Sequence, residues 1–126
     1  MTFLEDLKAF LTANGCDNVY RETMPDKPDE CIGLFLYAHA MPTISNGSST
    51  RYVQIQVRRM DGDDAYAVAY EILQMLDSGL DEADISLTEQ RKAIARPTAG
   101  PRKLHTDLSG RTVYYIEVAL FSDDEP

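Results

Sequence analysis

The chain has 126 residues, with 12 Lys or Arg against 21 Asp or Glu, which gives a net charge of −9. Its length fits one domain spanning residues 1–126, and its hydrophobic content of 44% excludes a wholly disordered chain. The acidic excess argues against a duplex nucleic-acid-binding protein, because such proteins neutralise phosphates with a dense basic face.

Neither secretion nor membrane insertion is predicted. Glu5 and Asp6 interrupt the first apolar stretch, whereas a signal peptide needs an unbroken apolar region. No apolar run approaches the roughly 20 residues that a membrane helix needs. Cys16 and Cys31 are expected to be reduced, half-buried thiols, because a free cysteine usually behaves as a small hydrophobe. These features predict a protein of cytoplasmic origin.

The chain opens with the pattern of an amphipathic helix. Apolar residues recur at helical spacing, at Phe3, Leu4, Leu7, Phe10 and Leu11. Thr2 and Glu5 match a capping box, and Asn14-Gly15 supplies a left-handed stop. We therefore expect a first helix over residues 3–14.

Three strands are predicted next. A short strand over 18–23 leads into a rigid proline turn over 24–29, and the apolar run 31–37 favours a central strand covered on both faces. Residues 38–50 contain Pro42, Asn46, Gly47 and three serines, which predicts a mobile surface loop. The segment 52–58 alternates, which predicts a strand with one buried face. Its apolar side chains are Val53, Ile55 and Val57, and its polar side chains are Tyr52, Gln54, Gln56 and Arg58.

A second helix begins at residues 61–64, where aspartates can cap free N–H groups. It ends at Ser78-Gly79. Its apolar stripe consists of Ala65, Val68, Ala69, Ile72, Leu73 and Leu76.

The C-terminal third predicts about three strands. Short strands are expected at 85–87 and 93–95, and a long strand at 113–121. Residues 97–110 are interpreted as a loop because they combine prolines with glycines. The acidic tail 122–126 is expected to be disordered. One face of the long strand would present Tyr114, Ile116, Val118 and Leu120.

This order of elements predicts an α+β fold. Two amphipathic helices each need an apolar surface, and a mixed, mainly antiparallel sheet supplies it. We expect a two-layer sandwich with both helices on one face of the sheet. The opposite face would carry Tyr52, Gln54 and Gln56, and it could contact a neighbouring subunit.

No catalytic constellation is apparent. A Ser-His-Asp site needs a nucleophile placed against a base, and neither His39 nor His105 has a partner at motif spacing. Zinc needs three or four closely spaced ligands, which Cys16 and Cys31 do not supply with the histidines. The sequence therefore predicts no enzyme activity.

Cofactor and metal motifs are also incomplete. Asp61, Asp63 and Asp64 resemble a fragment of a calcium loop, but helix capping is the better interpretation. The segment 47–50 lacks the lysine of a phosphate-binding P-loop. We expect no cofactor.

Basic residues cluster near the predicted strand ends. Either these residues are ordinary surface charges, or they form a row of arginines that contacts an acidic surface on a neighbouring copy. The planar guanidinium of arginine suits the second role. The predicted subunit or partner interface consists of Arg51, Tyr52, Gln54, Gln56, Arg58, Arg59, Arg96, Arg102 and Lys103.

Several segments resemble the bacteriophage minor capsid and tail terminator (tail completion) proteins. The turn 24–29 leads into an apolar strand, and the segment 52–58 is followed by an acidic turn and the helix 65–76. The Ala99-Gly100-Pro101 segment, the turn at 107–111 and the final long strand also fit. The resemblance extends from Phe3 to Phe121.

The resemblance implies a structural function. Such proteins form a ring, often of six copies, that caps the tail tube, stops its polymerisation and docks the tail to the head connector. The implied partners are other copies of the chain, the tube protein and the connector, while DNA passes through an acidic lumen without specific binding. The loops 38–50 and 97–110 are the expected contact segments. The implied location is the virion tail or neck, after synthesis in the host cytoplasm.

Three alternatives remain open at this point. A related head-tail connector or neck protein would have a similar sequence pattern. A small regulatory or ligand-binding module could hold a metabolite between Tyr37, Tyr52 and Tyr114. A hydrolase with an uncommon acidic site would need a metal-dependent activity.

Overall fold

A computed structural model describes residues 2–39, 48–79, 84–89 and 91–123. This part of the chain forms two helices and six strands. In chain order they are α1 (Phe3–Ala13), β1 (Val19–Arg21), β2 (Cys31–His39), β3 (Ser48–Arg59), α2 (Gly62–Met75), β4 (Ile85–Ser86), β5 (Lys92–Thr106) and β6 (Thr112–Asp123).

The strands form one mixed, curled sheet in the order β1-β2-β3-β6-β5-β4. β1 runs parallel to β2, and the other paired strands run antiparallel. The predicted α+β class is therefore confirmed. The two-layer description is confirmed only in part, because the sheet is curled.

The pairing of β3 with β6 forms the centre of the core. Val53 lies opposite Val118 and Ile55 lies opposite Ile116, and all four side chains are fully buried. Opposed residues in a sheet place their side chains on the same face, so the two alternating patterns combine into one apolar surface. The alternation predicted for both segments is correct.

Both helices pack onto this surface. Leu7 and Leu11 from α1 and Ala69 and Ile72 from α2 belong to the same buried cluster. The capping box of α1 is present as predicted: the Glu5 amide donates to Thr2 Oγ1 at 3.2 Å, and Thr2 N donates to Glu5 Oε1 at 3.4 Å. Neither helix in the described ranges is long and apolar enough to cross a bilayer.

Asp61 settles the choice between helix capping and a calcium loop in favour of capping. Its Oδ1 accepts a hydrogen bond from the Asp63 amide at 3.1 Å, at the N-terminus of α2. The acidic residues of the first turn also interact favourably with the positive end of the helix.

The loop predicted over 97–110 is wrong for residues 97–106, whereas its closing turn at 107–110 is confirmed. Residues 92–106 form the 15-residue strand β5, and only the turn between Asp107 and Arg111 joins it to β6. The strand accommodates its prolines because the pairing with β6 shifts between Pro97 and Ala99 and between Ala99 and Arg102. Prolines are tolerated at such bulges and on edge strands, where an amide donor is not required.

Other boundaries also differ from prediction. β1 ends at Arg21 because Glu22 has a φ of 60°, and the Glu22 carboxylate accepts from the Leu36 amide at 3.1 Å in place of a further strand residue. β2 is covered on both faces only near its start, since Leu36 and Tyr37 are exposed. In the expected tail, Ser122 belongs to β6 and is buried.

Parts of two predicted segments lie outside the described residues. They are residues 40–47 of the predicted loop and 124–126 of the predicted tail. The described ends of that loop, residues 38–39 and 48–50, belong to β2 and β3, so the loop prediction is wrong there.

Gly100 is required by the close approach of β5 to β6. Its φ is +111°, and an added Cβ would lie 2.7 Å from the Tyr115 carbonyl oxygen. We expect Gly100→Ala to lower the free energy of unfolding by about 2 kcal/mol or more, measured by urea denaturation. Gly79→Ala is the matched control, because Gly79 has a φ of +75° but no atom within 4 Å of the added Cβ. It should cost about 1 kcal/mol, and equal losses at both sites would contradict the steric explanation.

Candidate subunit and partner interface

The side of the sheet opposite the helices, here called the open face, presents polar and aromatic side chains. Gln56 Nε2 donates to Gln54 Oε1 at 2.7 Å, and Gln54 Nε2 donates to Glu117 Oε2 at 3.3 Å. The rings of Tyr37 and Tyr52 are 6.0 Å apart and tilted by 51°. The structure therefore brings the predicted interface residues Tyr52, Gln54 and Gln56 together on one ordered surface.

Strand register adds two of the predicted arginines to the open face. Arg96 lies opposite Ala119, which in turn lies opposite Tyr52. Arg102 lies opposite Tyr115, which lies opposite Gln56. Opposed residues share a face, so the exposed Arg96 and Arg102 form the β5 border of the open face.

Lys103 and Arg51 belong to the other side of the sheet. The exposed Lys103 lies opposite Tyr114, which packs against the core. Arg51 is buried, with its guanidinium carbon 4.7 Å from the centre of the Phe3 ring and its Nη1 3.1 Å from Ser122 Oγ. Arg51 is therefore a packing residue in the folded chain.

A buried ion pair lies beside Arg51 and was not predicted. Arg91 Nε donates to Asp6 Oδ2 at 2.6 Å, and each side chain is only 8% exposed. The Arg91 guanidinium carbon also lies 5.3 Å from the centre of the Phe3 ring, so two arginines flank this aromatic side chain. This contact joins α1 to the residue that directly precedes β5. Removing either partner would leave an uncompensated buried charge, which is strongly destabilising.

The alternation of β3 places Arg58 on the same side of the sheet as Tyr52, Gln54 and Gln56, but the proline turn over residues 24–29 covers its side chain. It is 5% exposed, and its guanidinium donates to four main-chain carbonyls of that turn. The acceptors are the oxygens of Pro25 at 2.6 Å, Asp26 at 3.2 Å, Pro28 at 2.7 Å and Asp29 at 2.9 Å. The expectation of an outward-facing Arg58 is therefore wrong.

Arg111 binds the same turn from the β5–β6 connection. Its Nη2 lies 2.9 Å from Asp26 Oδ1, its Nη1 lies 3.3 Å from Asp29 Oδ1, and its Nε donates to Asp107 Oδ2 at 2.8 Å. Arg58 and Arg111 together form what we call the arginine clamp. Arg111 was not among the predicted site residues, because its partners are set by tertiary structure.

Arg59 also forms ion pairs with carboxylates of its own chain. Its Nη1 lies 3.2 Å from Glu30 Oε1, and its Nε lies 3.8 Å from Asp64 Oδ2 in the first turn of α2. The interface role assigned to Arg51, Arg58 and Arg59 from the sequence is not supported by these positions. For Tyr52, Gln54, Gln56, Arg96, Arg102 and Lys103 it stays a prediction.

Two carboxyl groups that contact Arg111, those of Asp107 and Asp29, have lowered pKa values. Burial raises the pKa of Asp107, but hydrogen bonds from the Arg111 amide and guanidinium outweigh it, and the net shift is downward. The hydrogen bond from Lys27 is the main cause of the lowered pKa of Asp29, with a further contribution from Arg111. Both groups are therefore stabilised as carboxylates in the folded chain.

The ligand pocket suggested by three tyrosines does not form. Tyr37 and Tyr52 meet on the open face, whereas Tyr114 lies on the helix side with its ring 5.7 Å from that of Tyr66. Burial raises the pKa of both Cys16 and Cys31, which are free, as predicted, and buried rather than half-buried. Among the described residues, no group of three His, Cys, Asp or Glu side chains could hold a metal ion.

These features define an α+β protein whose distinctive surface is an ordered, polar sheet face. The family model of the bacteriophage tail terminator protein matches residues 6–120, so the chain belongs to this family. The resemblance inferred from the sequence is thereby confirmed. The family is a structural one and places the protein among virion tail components. A search of curated proteins found none that matches the chain.

The arginine clamp should contribute measurably to stability. We expect Arg58→Lys to lower the free energy of unfolding by about 2 kcal/mol, because a single ammonium group cannot reach carbonyls that the planar guanidinium binds together. The measurement is urea denaturation at neutral pH. Arg102→Lys is the matched control at an exposed position and should change stability by less than about 0.5 kcal/mol. Equal effects of the two substitutions would show that the clamp contributes nothing specific.

Acid should weaken the clamp. Because the folded-state pKa of Asp107 is below its usual value, the unfolded chain binds more protons as the pH falls below about 4. Its contribution is therefore fully present above that pH and is lost as the pH falls through the folded-state pKa. We expect the thermal midpoint of the wild type to fall more steeply than that of Asp107→Asn between pH 5 and pH 2.5. Parallel curves for the two proteins would refute the contribution of this carboxylate.

Proposed function

We propose that this protein caps the bacteriophage tail tube, ends its polymerisation and joins the tail to the head. The family match over residues 6–120 is the observation that carries the proposal, since it includes nearly the whole described fold. The mechanism is interfacial: the protein acts through contacts with other polypeptides, and no bond is made or broken. The partners are further copies of the chain, the tail tube protein and the head-tail connector.

The active form in this proposal is a closed ring, with six copies as the expected number. Each subunit meets its neighbour through two different surfaces, so that a repeated rotation closes the ring. The open face supports this proposal because it combines tyrosines and arginines, which are enriched at protein interfaces. The hydrogen-bonded row Gln56-Gln54-Glu117 fixes its polar groups before any partner binds.

The end of the β5–β6 hairpin is the proposed contact with the tube or the connector. Leu104 is exposed near the end of β5, and Leu108 is exposed within the tight connection between the strands. Exposed leucines near a hairpin end can insert into an apolar depression of a partner. This assignment takes the place of the predicted 97–110 loop.

The net charge of −9 supports a passive role toward DNA. A ring with a negative lumen repels phosphates and lets the genome pass without specific binding. A ring structure with a basic lumen would disprove this part of the proposal. The protein is proposed to be made in the host cytoplasm and to remain in the tail or neck of the virion.

Electron microscopy of tail tubes polymerised with and without the protein tests the proposed function. We expect added protein to arrest growth at a stoichiometry of one ring per tube end, with extra density at that end. An equimolar acidic protein of unrelated fold serves as the control. Tubes that keep growing with bare ends in the presence of the folded protein would refute the function.

A further inference from the structure

Charge is strongly segregated along the second half of the chain. Residues 60–90 contain nine Asp or Glu and no Lys or Arg, whereas residues 91–106 contain five Lys or Arg and no acid. The first segment includes α2 on the helix side of the sheet, and the second includes β5, which contributes Arg96 and Arg102 to the open face. Every charged residue of α2 is therefore acidic, whereas the β5 border of the open face carries Arg96 and Arg102.

The outward side of α2, here called the α2 outer face, has an unusual composition for a solvated helix surface. Asp63, Tyr66, Tyr70 and Glu71 are exposed there at helical spacing. The rings of Tyr66 and Tyr70 are parallel within 2°, with centres 6.4 Å apart, yet they remain 47% and 45% exposed. Tyr66 is held in place by its edge contact with Tyr114.

The open face offers groups that complement this surface. Arg96 and Arg102 lie along its β5 border, and Tyr37 and Tyr52 lie across the sheet from them. A guanidinium can pair with a carboxylate and stack on a tyrosine ring in the same contact. The Arg96–Arg102 border can therefore pair with the carboxylates of the α2 outer face and stack on its tyrosine rings.

We propose that the α2 outer face of one copy docks on the Arg96–Arg102 border of the open face of the next copy. The inference rests on the proposed ring, and it identifies which two surfaces form the repeated contact. The two surfaces lie on opposite sides of one sheet, so the contact is head-to-tail and generates a directional assembly.

A second copy fits this border better than nucleic acid does. The hydrogen-bonded Glu117 carboxylate lies within the open face, where it would repel phosphates. Continuation of the sheet by an added strand is also disfavoured, because Pro97 and Pro101 interrupt the outer edge of β5. Side-chain contacts with a helix face need no free strand edge.

Charge reversal is the first test, with assembly measured by sedimentation in solution and by electron microscopy at tube ends. Arg102→Glu and Glu71→Arg should each raise the dissociation constant for assembly about tenfold or more. An equimolar mixture should recover part of the loss, because both kinds of contact between unlike variants pair opposite charges, and these are two of the four possible contacts. A doubly substituted chain, which reverses every contact, should recover more. Lys8→Glu on α1 is the matched control for net charge and should assemble as the wild type does.

Cross-linking tests the geometry without altering the charge pattern. Gln56→Cys and Tyr70→Cys proteins should cross-link to each other when mixed with a short bismaleimide, and far less within either protein alone. The wild type is the control for Cys16 and Cys31, which are buried. Cross-links found only between identical positions would indicate a two-fold contact and would overturn the proposal.

The remaining outcomes separate this inference from the proposed function. If the Arg102→Glu protein assembles as the wild type does, or if Lys8→Glu weakens assembly as much as Arg102→Glu does, the proposed interface is overturned. Either result leaves the tube-capping function intact. A wild type that stays monomeric both in solution and at tube ends also overturns it. Salt-dependent duplex DNA binding that is lost in Arg102→Glu, with assembly unchanged, assigns the border to nucleic acid instead. Correct cross-links in a protein that fails to cap tubes would support the interface and refute the function.

Discussion

The antiparallel pairing of β3 with β6 is the constraint on which both surfaces of the molecule depend. It places Val53 against Val118 and Ile55 against Ile116, and it commits the alternate residues of both strands to the opposite face. A slip of one residue would move every apolar side chain to the solvent and every polar one into the core. The same register therefore determines the core beneath the helices and the composition of the open face.

The sequence predicts this central part of the fold because the signals are local and periodic. The alternation in 52–58 and the capping box at Thr2 each require only neighbouring residues to be recognised. The strand β5 is different: Pro97, Gly100 and Pro101 are loop signals when seen locally. Only the pairing with β6 shows that they lie in bulges of an edge strand, so the segment could not be assigned correctly from sequence alone.

The arginines show the same limit for the candidate site. Arg58 and Arg102 are both basic residues within strands, and nothing in their neighbourhood distinguishes them. Arg58 binds carbonyls of a turn 29 to 33 residues earlier in the chain, and Arg91 pairs with Asp6 across 85 residues. Such partners arise only when the fold brings distant segments together. Strand period correctly places Tyr52, Gln54 and Gln56 on the open face, whereas Arg58 has the same period and is covered by the proline turn.

The buried arginines stabilise the fold of the subunit, whereas the exposed ones are the proposed contacts between subunits. The arginine clamp and the Asp6–Arg91 pair fix the proline turn and α1 to the sheet, so these segments have little freedom left to lose when a partner binds. Closure of a ring also requires each contact to repeat the same rotation, which a flexible subunit would not do reliably. The buried arginines therefore support the proposed ring indirectly, because they fix the proline turn and α1 in one position relative to the sheet that presents Arg96 and Arg102.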